Sequence, residues 1–190
     1  MTKQALRKLY REKRLSLHPR QKLKLDDLLL LQFQQLYLDD DIQLLMSYWP
    51  MASMNEPNTH LFSRYMHHML PHLQMAYPVA DFSDCSMQAL LINEDTVYTT
   101  DAHGITTPKT GDAIDAEAID IVFVPMLVCD VEGYRVGYGK GFYDRFLARC
   151  APHAVTIGFS YFEPVDRIGD THEFDIPLNY CITPEQIYEF

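Results

Sequence analysis

An α/β domain, with a mixed or mainly parallel central sheet and helices on both faces, is predicted by three features of the sequence. Residues 121–124 (Ile-Val-Phe-Val) and 154–159 are short apolar runs bounded by turn signals, the pattern of strands buried on both faces. Residues 3–17, 19–38 and 59–70 repeat their apolar positions with a helical period instead. The two patterns alternate along the chain, the order that covers a sheet with helices. At 190 residues the chain suits a single three-layer domain over 1–190 with a substantial core.

Taken in order, residues 3–17 place Leu6, Leu9, Tyr10, the aliphatic stem of Lys13 and Leu17 on one helical face. Pro19 opens a second helix running to about Leu38, and Asp39, Asp40 and Asp41 mark its end. That acidic triplet reads either as a metal site or as a solvated loop. Residues 42–49 form a strand stopped by Pro50, and a loop carrying Glu56 leads into the helix at 59–70. Short strands follow at 75–79, 86–92 and 97–99. Residues 102–112, rich in Gly, Thr and Pro, read as a loop. The strand at 121–124 ends at Pro125, and a turn at Glu132-Gly133 precedes a glycine-rich segment and a helix carrying Phe142, Phe146 and Leu147. Ligands of such sheets collect at the carboxyl ends of the strands, here the loops after Val124 and Trp49.

A net charge of −10 argues against a nucleic-acid partner. The average hides an asymmetry, since 9 of the 16 basic residues lie in the first 24 positions, which makes the front of the chain a candidate anion-facing element. Most of those nine are expected to be solvated. The four cysteines are widely spaced and read as reduced, buried small hydrophobes. A charged N-terminus without a signal-peptide pattern, and no apolar run of ~18 residues, predict a cytoplasmic protein with no membrane partner.

The segment Gly137-Tyr138-Gly139-Lys140-Gly141 sets three glycines at alternate positions around one cation and runs directly into a helix. Glycines let backbone N–H groups approach an anion, and the first turn of a helix adds unpaired N–H groups. The spacing matches neither the P-loop nor the dinucleotide fingerprint. Spacing alone therefore leaves two readings open, a phosphate cradle and a glycine-rich hairpin.

The pattern Asp130-x-x-Gly133-x-Arg135-Val136-Gly137-x-Gly139-Lys140-Gly141-Phe142-Tyr143-Asp144, with the segments around Lys3, Trp49 and Glu173, resembles the 5-formyltetrahydrofolate cyclo-ligase family over essentially the whole chain. The resemblance implies ATP- and Mg2+-dependent conversion of 5-formyltetrahydrofolate to 5,10-methenyltetrahydrofolate, through phosphorylation of the formyl oxygen and attack by N10. It implies ATP contacts by Lys3, Gln4, Ala5, Leu6 and Arg7, and by Arg135, Val136, Gly137, Tyr138, Gly139, Lys140, Gly141, Phe142 and Tyr143. Lys140 and Arg135 would stabilise the transferring phosphoryl group, and Asp144 and Asp175 would hold Mg2+. Trp49, Glu56 and the stretch Tyr138, Gly139, Lys140, Gly141 and Phe142 would face the folate. The expected partner is this small molecule, with the protein a monomer or a weak homodimer.

Read without the family, Trp49 is core at a strand end, Glu56 opens the next helix, Tyr143 packs on a helix face, and His67, His68 and His172 are surface positions. The sequence also departs from the family pattern. Tyr138 stands where many members carry Arg, with Arg135 or Arg145 the expected compensating cation. Val79, Thr107, Phe174 and Asn179 replace a basic residue, Glu, His and Asp. Two alternatives follow, an ATP-dependent enzyme of the same fold with another substrate, and a non-catalytic folate- or nucleotide-binding regulator.

Overall fold

A computed structural model of the chain describes residues 1–39 and 41–190. Asp40, in the acidic triplet, lies outside the described residues. The elements are α1 (Lys3–Leu15), α2 (Pro19–Phe33), β1 (Leu44–Met46), α3 (Thr59–Met69), β2 (Gln74–Asp81), β3 (Ser86–Leu91), β4 (Tyr98–Thr100), β5 (Thr106–Pro108), β6 (Ala113–Ile114), β7 (Ile121–Val124), β8 (Val128–Cys129), β9 (Arg135–Val136), α4 (Phe142–Leu147), β10 (Val155–Phe159), β11 (Tyr180–Ile182) and β12 (Ile187–Glu189).

The main sheet has eight strands in the order β12-β11-β10-β7-β1-β2-β3-β6. Its middle, from β11 to β2, is parallel, and its edges β12, β3 and β6 pair antiparallel. This is the mixed, mainly parallel sheet that the apolar runs predict. Alternation along the strands sorts the core into two faces. Leu45, Ile121, Phe123, Ile157 and Phe159 meet Leu29 and Phe33 of α2 and Phe62 and Met66 of α3. Leu44, Met46, Val122 and Val124 face the other way, onto Phe146 and Leu147 of α4. Helix α1 lies at the end of the sheet, with Leu6 and Tyr10 against Leu127, Val128 and Ile168. No helix among the described residues is long and apolar enough to cross a membrane.

Several boundaries differ from the sequence expectation, each for a local reason. Helix α2 ends at Phe33 rather than near Leu38, and the chain continues in turns closed by Gln35 N–H to Gln32 O and Leu36 N–H to Phe33 O. Leu36 and Leu38 still pack on the core from that turn, which prolongs the apolar period beyond the helix. Strand β1 covers only part of 42–49, and at its start the Asp120 carboxylate takes the N–H groups of Gln43 (2.8 Å) and Leu44 (2.9 Å). Residues 102–112 are not one loop: β5 pairs with β4 about a turn in which Asp101 Oδ1 accepts from His103 and Ile105. The tail adds β11 and β12, which the sequence reading did not contain.

The motif glycine Gly133 has φ +85°, and a Cβ there would lie 2.9 Å from Phe190 Cγ and 3.0 Å from the Leu178 carbonyl oxygen. Gly133→Ala is therefore expected to cost about 1–3 kcal/mol in a denaturant titration.

Candidate functional site

The strand order reverses around β1 and β7, so the crevice of the sheet lies beyond their carboxyl ends. Four segments meet there: the start of α1, the chain after β1, the glycine-rich loop after β9, and the tail near Asp175. Interactions between residues far apart in sequence hold them. Lys3 Nζ forms an ion pair with Asp175. Arg7 Nε donates to the Gly137 carbonyl (2.9 Å), and its guanidinium lies 3.1 Å from where a Cβ of Gly139 would stand. Gly139 (φ +88°) is thus required both by its backbone and by the close approach of Arg7.

The loop is an open cradle. Among the described residues, the backbone N–H groups of residues 139–143 donate to no acceptor within the protein; the first helical bond of α4 is Arg145 N–H to Gly141 O (3.2 Å). Lys140 is exposed and its ammonium forms no hydrogen bond or ion pair among the described residues. Arg145 braces the loop from behind, with Nη2 on the Lys140 carbonyl (2.7 Å) and Nε on the Cys85 carbonyl (2.9 Å). A row of unpaired N–H groups beside a free cation is built to receive an anion.

Arg135 is placed differently from the free cation the resemblance implies. Its side chain is 6% exposed, with Nη2 on Asp144 Oδ1 (2.8 Å) and Nη1 on the Ile176 carbonyl. Burial lowers its pKa while the Asp144 charge opposes that shift. It braces α4 against the tail. Asp144 Oδ1 also accepts from Ile176 N–H (3.3 Å), which brings the two predicted magnesium ligands, Asp144 and Asp175, to adjoining segments. Asp175 Oδ2 takes Lys3 Nζ and His172 N–H; burial raises its pKa, but these bonds and the Lys3 charge outweigh it and hold the carboxyl below its ordinary range. Among the described residues, each carboxylate keeps its second oxygen clear of hydrogen-bond donors. No group of three or more His, Cys, Asp or Glu arranged for a metal occurs among the described residues, so a cation here would draw its remaining ligands from phosphate and water, as Mg2+ does.

Of the other predicted residues, Leu6 and Val136 are core, and Gln4 and Ala5 are solvent-exposed. Phe142 packs edge-on to Phe82 (5.1 Å). The Tyr143 hydroxyl is buried without a partner, and burial pushes its pKa up. Trp49 is 37% exposed, not core, and stands against His60 (4.7 Å) and Tyr98 (4.9 Å) as one wall of an aromatic group that includes Tyr77. Glu56 is 3% exposed; Oε2 accepts from Met51 N–H (2.7 Å) and Oε1 from the Tyr138 hydroxyl. Burial raises its pKa against the opposing pull of the Tyr138 bond, the Met51 N–H and the Arg14 charge.

Neither Arg135 nor Arg145 bonds to Tyr138; its hydroxyl is met instead by a buried arginine of α1. Arg14 Nη2 donates to the Tyr138 oxygen (2.5 Å) from α1. The sequence contained a signal for Arg14: Leu6, Tyr10 and Arg14 fall at i, i+4 and i+8, and these three are the buried residues of the helix. Lys13, assigned to that face, is exposed, with Nζ 4.6 Å from the Tyr10 ring centre. Asn179 is also explained structurally, since its Oδ1 accepts from Thr156 N–H (2.8 Å) and Oγ1 (2.9 Å) where β10 meets β11. A cleft of about 900 Å3 lined by His67, Gln74, Glu94 and Thr110 lies at the opposite, amino end of β2 and takes no part in this arrangement.

Three comparisons bear on the chain as a whole. It is 30% identical over 74 residues to a 5-formyltetrahydrofolate cyclo-ligase of Mycoplasma genitalium and over 80 residues to that of Escherichia coli K12. Those alignments span 38% and 42% of this chain and 45% and 44% of the relatives, under half of their length. The fold matches the 5,10-methenyltetrahydrofolate synthetase of Aquifex aeolicus (TM-score 0.81, 25% identity, 100% of this chain and 93% of that one). It also matches that of Mycoplasma pneumoniae (TM-score 0.74, 25% identity, 96% and 98%). The model of the 5-formyltetrahydrofolate cyclo-ligase family, whose members are ligases, matches residues 1–179, and the chain belongs to that family.

Proposed function

We propose that this protein converts 5-formyltetrahydrofolate to 5,10-methenyltetrahydrofolate with ATP and Mg2+, releasing ADP and phosphate. The observation that carries the proposal is the convergence, at one crevice, of unpaired loop N–H groups and free Lys140 with two carboxylates and an aromatic wall. The formamide oxygen is a poor leaving group. Transfer of the γ-phosphoryl group to it makes a carbon that the N10 lone pair can attack; N10 then gives up its proton, and the C–O bond breaks with departure of phosphate. In this reading the loop and Lys140 hold the phosphates and stabilise charge on the transferring group, Arg7 fixes the loop, and Lys3 ties the start of α1 to the tail at Asp175. Asp144 and Asp175 would hold Mg2+, which supplies charge screening to the phosphates. Glu56, 3% exposed and with each oxygen already accepting one protein hydrogen bond, would offer its remaining lone pairs to the donor edge of a pterin, and Trp49 would offer its ring face.

The test is the appearance of methenyltetrahydrofolate absorbance with purified protein, 5-formyltetrahydrofolate, ATP and Mg2+, omitting each in turn. Product requiring all three is the expected result. ATP turnover without folate conversion would point to another substrate, and ligand binding without phosphate release to a regulator.

A further inference from the structure

Arg14 is 2% exposed and touches three loops of the crevice at once. Nη1 donates to the Met126 carbonyl (3.0 Å) beyond β7, and Nη2 donates to the Tyr138 oxygen (2.5 Å) in the glycine-rich loop. Its backbone carbonyl accepts from Asn55 Nδ2 (3.1 Å) in the segment after β1. Tyr138 has a single hydroxyl proton, which it donates to Glu56 Oε1. A buried guanidinium and a buried carboxylate are therefore joined through one phenol that belongs to the loop. The far end of the Glu56 segment is fixed independently, since Asp26 Oδ1 accepts from Asn58 N–H (3.0 Å) and the Tyr161 hydroxyl (2.6 Å). The contact with Tyr138 is thus the one that depends on where the glycine-rich loop sits.

We propose that Arg14 is a positioning residue that couples the two halves of the site: through Tyr138 it holds the Glu56 carboxylate in place when the glycine-rich loop is seated, so that a nucleoside triphosphate on the loop and a pteridine at Glu56 raise each other's affinity. This rests on the functional reading above. An anion on the loop restrains Tyr138, Tyr138 restrains Glu56, and linkage makes the effect equal in both directions. A direct Arg–Glu pair would bypass the loop; the interposed phenol makes the carboxylate's orientation report on it.

The experiment is calorimetric titration of 5-formyltetrahydrofolate with and without a non-hydrolysable ATP analogue and Mg2+. The variants are Tyr138→Phe, Arg14→Met and, as a control, Arg11→Ala, an exposed residue of α1. Wild type and Arg11→Ala should bind the folate about tenfold more tightly with the analogue present, a common size for such coupling. In Tyr138→Phe and Arg14→Met that factor should fall below about twofold, whatever the Kd of the analogue alone. Tyr138→Phe keeps the ring and removes one bond, so it carries the test even if Arg14→Met does not fold. Full coupling in Tyr138→Phe, or independent binding of the two ligands by wild type, overturns the proposal. Failure of wild type to bind the folate at all is a different result and overturns the functional reading itself.

Discussion

Replacing Lys140 with alanine should lower kcat about 100- to 1,000-fold, the usual effect of removing one preorganised charge from a transition state, and leave Tm unchanged. The side chain is exposed and forms no hydrogen bond or ion pair among the described residues. Its ammonium stands beside unpaired N–H groups, so the charge is held ready without being spent on an internal carboxylate. Activity and stability should therefore separate cleanly. Wild-type turnover in this variant would remove Lys140 from the role proposed for it.

Asp144→Ala should lose turnover and stability together. Arg135 is 6% exposed on its side chain and has Asp144 as its ion-pair partner. Removing the carboxylate strands a buried charge, which costs about 2–4 kcal/mol here, less than a fully buried pair because Asp144 is 28% exposed and Arg135 keeps the Ile176 carbonyl. The double variant Arg135→Met/Asp144→Ala separates the two effects. It should recover most of the stability in a denaturant titration, because no unpaired charge remains, and should stay inactive, because the carboxylate proposed for Mg2+ is still missing. Recovery of turnover in the double variant would show that Asp144 acts only through Arg135.

The two alternatives kept open by the departures from the family pattern rest on Tyr138 and Asn179, whose surroundings the structure describes. Asn179 serves the junction of β10 and β11 rather than the crevice. Tyr138 is not a bare loss of charge, because Arg14 brings a cation to its hydroxyl from another element.

Local pattern determined a good part of this protein. The apolar runs at 121–124 and 154–159 could be satisfied only between two helical layers, and the glycines could be read as an opening for backbone N–H groups because that property belongs to the residue itself. Elements whose identity depends on a partner were not legible. Strand β5 is made of Thr-Thr-Pro among turn residues and exists because β4 is there to pair with it. Strands β11 and β12 carry no long apolar run and are recruited by the open edge of β10. Arg135 and Arg14 show the same division at the site. Both are basic residues in sequence segments that read as anion-facing, yet Asp144 and Ile176 turn the first into a brace, and Met126 and Tyr138 bury the second. The sequence by itself determined which residues carry charge, glycine freedom and apolar surface. Tertiary structure alone decided which charges are neutralised internally and which remain free, because that depends on which partners the fold brings close, from Asp144 near Arg135 in sequence to Gly137 far from Arg7 and Asp175 far from Lys3.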